Sequence, residues 1–442
     1  MRLDYATTSR IRRLAKAALA GSLALLLMAA AVGSARQVSV LKAKNADEIL
    51  HVVSRLRGLD VKRAVKSGSK SHDEIEQSVI ADLNENTTPA EFAATAKTLT
   101  KLGLIDKGFA LREYVIKLLR EQVAGFYDTK TQTFYLASWI PFAEQEPVIA
   151  HELTHALQDQ HFDLRRFEKW PKGDSDAELA VHALIEGEAT VLMFEYTVGG
   201  GKPIDLSRIG SLTDLLLSQS DAGDATRFPV MAGAPAVLRE NLQFPYVYGV
   251  GFVQGVIKEK SWKSLDSCYE DLPQSTEQII HPDRYLARDK PIKIEIPDLG
   301  PALGSRWKRA DYDVNGEFGY TVLLGQFVEK QRAKRAAAGW GGDRYALYED
   351  AQAGRLLLTQ FTSWDTVKDA EEFFEAYKER TAKRYHVAAP SAESGHKITI
   401  DTEEGAVLIE LRGQDVVAIE GAENRDQLSK LAALVWQASK KP

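Results

Sequence analysis

The sequence predicts an α+β protein, and three observations carry that expectation. Apolar residues recur at three- and four-residue spacings through the first part of the chain, as on amphipathic helices. Two short aromatic and β-branched runs around a polar turn, Gly125 to Leu136, mark a hairpin. After about Gly304, strand-like runs alternate with three helical stretches, the pattern of an antiparallel sheet packed with helices. The 442 residues divide accordingly into 1–35, 36–124, 125–303 and 304–442.

The first segment has the layout of an export signal. Arg2, Arg10, Arg12, Arg13 and Lys16 precede an apolar run from Ala17 to Val32, and Gly33-Ser34-Ala35 follows as a small-residue cleavage site. An apolar run of that length is short against the roughly 20 residues needed to span a bilayer. The mature chain is therefore expected outside the cytoplasm, periplasmic or secreted, without stable membrane insertion; an uncleaved N-terminal anchor is the alternative. A net charge of −6 with no basic block argues against nucleic acid as the main partner. One cysteine, Cys268, permits no intramolecular disulfide and reads as a small buried apolar residue.

Helices are expected over Ala46–Arg57, His72–Asn84, Pro89–Leu102 and Phe109–Val123, with Ser71 and Thr88 as starts. This region carries no evident chemistry, and a packing layer and a removable pro-segment both fit it. The hairpin comes next, immediately before the most informative stretch, so an open strand edge there could hold an extended peptide.

That stretch is His151-Glu152-Leu153-Thr154-His155, on a helix expected from about Glu144–Pro147 to Gln160. Residues four apart share a helix face, so His151 and His155 can present two imidazoles to one Zn²⁺ ion. Glu152 projects from the same turn and is placed to act as general base toward a zinc-activated water. For a third ligand, His161 has the spacing of a metzincin, but Gln158 stands where that pattern needs a helix-breaking glycine. If the helix continues, six residues turn His161 by about 240° from His155.

The other possibility lies on a second helical pattern, Glu178 to Thr190. Glu186 on an otherwise apolar face is costly to bury unless paired or metal-bound. The string Glu186-Gly187-Glu188-Ala189-Thr190 resembles the E-G-x-A-T piece of gluzincin metallopeptidases of the aminopeptidase and leukotriene-hydrolase type. The resemblance implies a thermolysin-like core with Glu186 as third ligand and Glu188, about 200° away on the helix, as the fallback. His182 and Glu178 lie on the Glu186 face as supporting or plain surface residues. Pro245-Tyr246-x-x-Gly249 resembles the P-Y-x-x-G segment of the same type, which implies that Tyr246 steadies the oxyanion, with Tyr248 as alternate, on a helix opened near Phe244. Thr190 replaces the Asp that many gluzincins place four residues after the ligand Glu.

His281, before Pro282, could touch substrate or cap a helix end. Beyond it, a helix is expected near Gly316–Ala338, a tight turn at Trp340 and its glycines, strands at 345–348, 355–361, 397–401, 406–411 and 416–420, and helices at 366–384 and 425–438. The resemblance implies a zinc peptidase acting on a peptide or protein substrate, and the N-terminal signal layout implies its export. The chain lacks the G-x-M-E-N string by which the aminopeptidases bind a free α-amine, so endoproteolysis is favoured. A catalytically silent zinc-containing binding or scaffold protein is the rival, and a metzincin using His161 the second.

Overall fold

Capping sets the first helices. In the computed structural model, which describes residues 45–167, 170, 173–220, 225–259, 261–388 and 396–441, the expected export signal lies outside the described residues. Helix α1 (Ala46–Arg57) starts where Asn45 accepts from the Glu48 amide and ends on Gly58, whose φ of 76° favours glycine. Strand β1 (Lys66–Lys70) follows. Helices α2 (His72–Asn86) and α3 (Pro89–Leu102) both open with a reciprocal box, Ser71 with Glu74 and Thr88 with Glu91, satisfying amides that the helix leaves unpaired. Helix α4 (Leu111–Gln122) closes the group.

The hairpin is present as β2 (Gly125–Asp128) and β3 (Thr133–Ala137). Strand β1 pairs parallel with β3, so the order is β1-β3-β2 and β2 lies at an edge. Three long helices then build the centre: α5 (Phe142–Phe162), α6 (Ser175–Gly199) and, after the short α7 (Leu212–Ser220) and α8 (Pro229–Ala232), α9 (Ala236–Glu259). Helix α9 does not open near Phe244. Pro245 sits inside it, because burial of Phe244, Tyr246 and Val247 holds the helix through a residue that supplies no amide hydrogen. Helix α1 packs on this centre, its Ile49, Leu50 and Val53 sharing one apolar cluster with Leu153, Leu157 and Leu192.

Short helices α10 (Trp262–Cys268), α11 (Thr276–Ile280) and α12 (Pro282–Leu286) lead through β4 (Lys293–Glu295) and α13 (Gly300–Leu303) into the C-terminal part. There β5 (Trp307–Asp313), helices α14 (Gly316–Gly325) and α15 (Lys330–Ala337), β6 (Trp340–Asp350), β7 (Arg355–Trp364), helix α16 (Val367–Arg384), β8 (Lys397–Thr402), β9 (Gly405–Arg412) and β10 (Asp415–Ala422) precede helix α17 (Arg425–Val435) and β11 (Ser439–Lys441). The six-stranded sheet has the order β5-β6-β7-β10-β9-β8, each pair antiparallel.

Alternation covers both of its faces. Tyr345, Leu347, Val416 and Ala418 join the cluster that contains Phe373 and Tyr377 of α16. Their neighbours Ala346, Tyr348, Val417 and Ile419 pack with Leu428, Leu431 and Val435 of α17. The molecule is thus α+β, with a helical half beside an antiparallel sheet. Two expectations are corrected. The stretch 316–338 is two helices, and Trp340 with its glycines opens β6 instead of making a turn. A Cβ on Gly342 would overlap the Ile292 backbone, so glycine is required there for close approach within a strand.

Candidate metal centre

Three helices meet at the centre, and two glycines let them. A side chain on Gly187 of α6 would overlap the backbone of Gly249 of α9, and one on Gly249 would overlap the Ala183 carbonyl. The two axes therefore approach closely only because both positions lack a Cβ. Glu186 precedes one glycine and Tyr246 lies three residues before the other, so this contact brings their side chains together. The two short motifs are two sides of one helix–helix contact.

Helix α5 supplies the imidazoles. His151 Nε2 and His155 Nε2 are 3.1 Å apart, and Glu186 Oε2 lies 3.3 Å from the first and 3.4 Å from the second. Ligands at the roughly 2.0–2.1 Å of zinc–nitrogen bonds stand about 3.3–3.4 Å apart on a tetrahedron, so this triangle fits three corners around one zinc ion. Among the described residues, His151, His155 and Glu186 are the His, Cys, Asp and Glu side chains that bring three ligand atoms within 4.8 Å of one another. Both imidazoles are buried, and Glu186 keeps a partly exposed side chain.

Charge balance within the triangle fits a cation. Burial pushes the His151 imidazole down to about 4. Burial acts the same way on His155, yet the Glu186 carboxylate outweighs it and raises that imidazole to about 9. Burial would also raise Glu186, but the two imidazoles hold it well below the usual carboxylate range. Positive charge is favoured between these three atoms.

Glu152 lies beside them, fully buried. Burial, against the pull of His155, pushes its carboxyl up to about 8. The Tyr127 backbone amide on the edge strand donates toward its carboxylate, which lowers it in part. A Cβ on Gly125 would lie 3.5 Å from Glu152 Cγ, so β2 runs directly over the middle of α5. The Ala124 carbonyl accepts from the Ala137 amide. In the alternating antiparallel pattern that turns the amides and carbonyls of Gly125 and Tyr127 away from β3.

Tyr246 is buried at the same place. Its phenol is within hydrogen-bonding reach of Glu186, and burial followed by the Glu186 and Glu152 charges holds it well above its usual value. Its ring centre is 6.3 Å from that of His151. Tyr248 is not part of the centre; it stacks on Phe244 at 5.0 Å and lines a separate cavity of about 460 Å³ with Thr213 and Lys258.

The remaining residues fall elsewhere. Helix α5 continues through Gln158, and His161 Nε2 meets the Asp60 carbonyl at 2.8 Å, away from the triangle. Glu188 is fully buried against the Arg57 guanidinium, which also reaches Asp266 at 2.6 Å. His281 caps α11 and meets Glu317 Oε1 at 3.0 Å. His182 and Glu178 lie toward the start of α6, one and two turns before Glu186. His151 Nδ1 and Thr190 Oγ1 are both buried without a hydrogen-bond partner, so the polar contacts of His151 run through Nε2, to Glu186 and His155. Cys268 is buried, with its thiol 3.9 Å from the Ser264 carbonyl.

Sequence reasoning missed Arg57, Gln158 as a partner of His155, Tyr269 and the Gly187–Gly249 contact. The glycines carried a signal, since both stand inside long helical patterns where glycine is unfavourable. No helix of the described residues is long and apolar enough to cross a membrane. Residues 305–432 match a family described as a domain of unknown function (DUF8575), which covers the C-terminal sheet and its helices and leaves the metal triangle outside. No curated protein and no solved structure matches the chain.

Proposed function

We propose that the protein is an exported zinc-dependent peptidase of gluzincin type, with a thermolysin-like arrangement of the HELTH and glutamate helices in residues 125–303. One observation carries the reading: three ligand atoms converge at zinc spacing beside a fully buried glutamate. His151, His155 and Glu186 would hold the ion. When bound, zinc supplies Lewis acidity for polarising a carbonyl and activating water. Glu152 takes a proton from the attacking water and returns it to the leaving amine. Its burial raises its proton affinity toward neutrality, as a group that must both accept and release a proton requires.

The phenol of Tyr246 is placed beside the ligand carboxylate, where it steadies negative charge developing on the scissile oxygen. The outward carbonyls of Gly125 and Tyr127 and the Gly125 amide offer an extended peptide a strand to pair with directly over Glu152. That favours a peptide running through the site, hence internal cleavage. In this reading residues 304–442 are a C-terminal α+β domain packed on the peptidase part through a shared apolar core.

A digest of an unbiased peptide library by the zinc-loaded chain tests the proposal. Cleavage at internal bonds is expected. Full zinc loading with no cleavage of any peptide would favour the silent binding protein, whose site has no use for a base at Glu152.

A further inference from the structure

Resting on the zinc reading above, we infer that Gln158 is the positioning residue of His155, locked in that role by Glu188, Tyr269 and Arg57. A glutamine amide can point either way, and here its surroundings decide. Gln158 Nε2 lies 3.0 Å from the Ile185 carbonyl, 3.1 Å from Glu188 Oε2 and 3.0 Å from the Tyr269 hydroxyl. A carbonyl can only accept, so the NH₂ end faces that side and Oε1 faces His155. His155 Nδ1 is 2.8 Å from that oxygen. Oxygen offers no hydrogen, so Nδ1 must donate, and Nε2 is the nitrogen left to present a lone pair toward His151 and Glu186.

The lock is itself held. Glu188 accepts from Tyr269 and from Arg57, and Arg57, Glu188, Gln158 and Tyr269 are all at most 2% exposed. The Tyr269 ring stacks on Phe162 with centres 4.0 Å apart, tying the last turn of α5 to the same network. Gln158 thereby does two things with one residue. It carries α5 past the point where a glycine would end it, and three residues from His155 it presents its oxygen to the imidazole. Glu188 acts through Gln158 and not as a ligand. Because Arg57 comes from α1, the first described helix is built into the support of the metal centre.

The test uses the full mature chain, with zinc affinity measured by competition against a chromogenic chelator. Gln158→Leu is expected to weaken zinc binding about 10- to 100-fold, the usual cost of losing an outer partner of a ligand histidine. Tyr269→Phe, which removes one support of the Gln158 amide, is expected to weaken it less than tenfold. In the zinc-loaded wild type, proton–nitrogen correlation spectra should show His155 Nδ1–H as a slowly exchanging signal, and Gln158→Leu should lose it. A role in packing alone would leave that signal in place. Unchanged affinity in Gln158→Leu while the wild type binds zinc, or an unprotonated His155 Nδ1 in the wild type, overturns the inference and spares the zinc reading. A wild type that takes up no zinc overturns both. Should Gln158→Leu fail to fold, the wild-type spectrum and Tyr269→Phe decide, with affinity and signal both unchanged in Tyr269→Phe counting against the inference.

Discussion

Among the described residues two clusters pair histidine with glutamate, and in one of them three ligand atoms converge. In the first, His151, His155 and Glu186 point three ligand atoms at one another. In the second, where α11 meets α14, His281 pairs with Glu317 while Arg284 reaches Glu277 at 3.4 Å and Asp289 at 2.8 Å. There an arginine already supplies the positive charge, and burial followed by the neighbouring Glu317 pushes the Glu277 carboxyl up to about 9. Buried carboxylates by themselves therefore do not identify a metal site. The first cluster adds the convergence of three ligand atoms on one point, which a zinc ion needs.

The largest effect expected from breaking this contrast is on the rate. Glu152→Gln should keep its zinc and lose about 10⁴-fold in kcat on a cleaved peptide, the upper end of what a general base contributes. Glu317→Gln in the second cluster should leave kcat near wild type, and steady-state kinetics on the same peptide reads both. Next comes Tyr246→Phe, expected to lower kcat by about 10²-fold with KM little changed, as for one lost oxyanion donor. An unchanged kcat would reduce Tyr246 to a support for Glu186.

The smallest effect falls on stability. Glu277 binds its proton more tightly in the folded chain than in the unfolded one. That contribution is complete below about pH 4.5 and is lost as pH rises toward about 9. Glu277→Gln, which stays neutral, should thus stabilise the fold by about 1–3 kcal/mol at pH 8 and by close to nothing at pH 5. Urea unfolding at the two pH values measures the difference. An equal effect at both would mean that Glu277 is charged in the folded chain.

Much of this was legible in the residues and some could not be. The two imidazoles share a face because four residues make about one helical turn, which is local geometry. Capping boxes at Ser71 and Thr88 and the alternation in 345–348 and 416–420 are local too, and α2, α3, β6 and β10 lie where those signals point. Glu186, an acid on an apolar face, was marked as third ligand by the resemblance of the E-G-x-A-T string, not by its chemistry alone. What lies across the chain escaped. Arg57 meets Glu188 at a separation of 131 residues, and β1 joins β3 in parallel through the intervening helices. Pro245 and the glycines after Trp340 misled because local preference favours a break at each, whereas packing holds a helix through one and a strand through the others.

The central claim is that His151, His155 and Glu186 bind one zinc ion. Equilibrium dialysis with metal analysis of the wild type, Glu186→Ala and His161→Ala tests it most directly. One zinc per chain is predicted for the wild type and for His161→Ala, with affinity reduced by about 10³-fold in Glu186→Ala. A wild type without zinc, or zinc that survives loss of Glu186 and disappears with His161, would contradict the account.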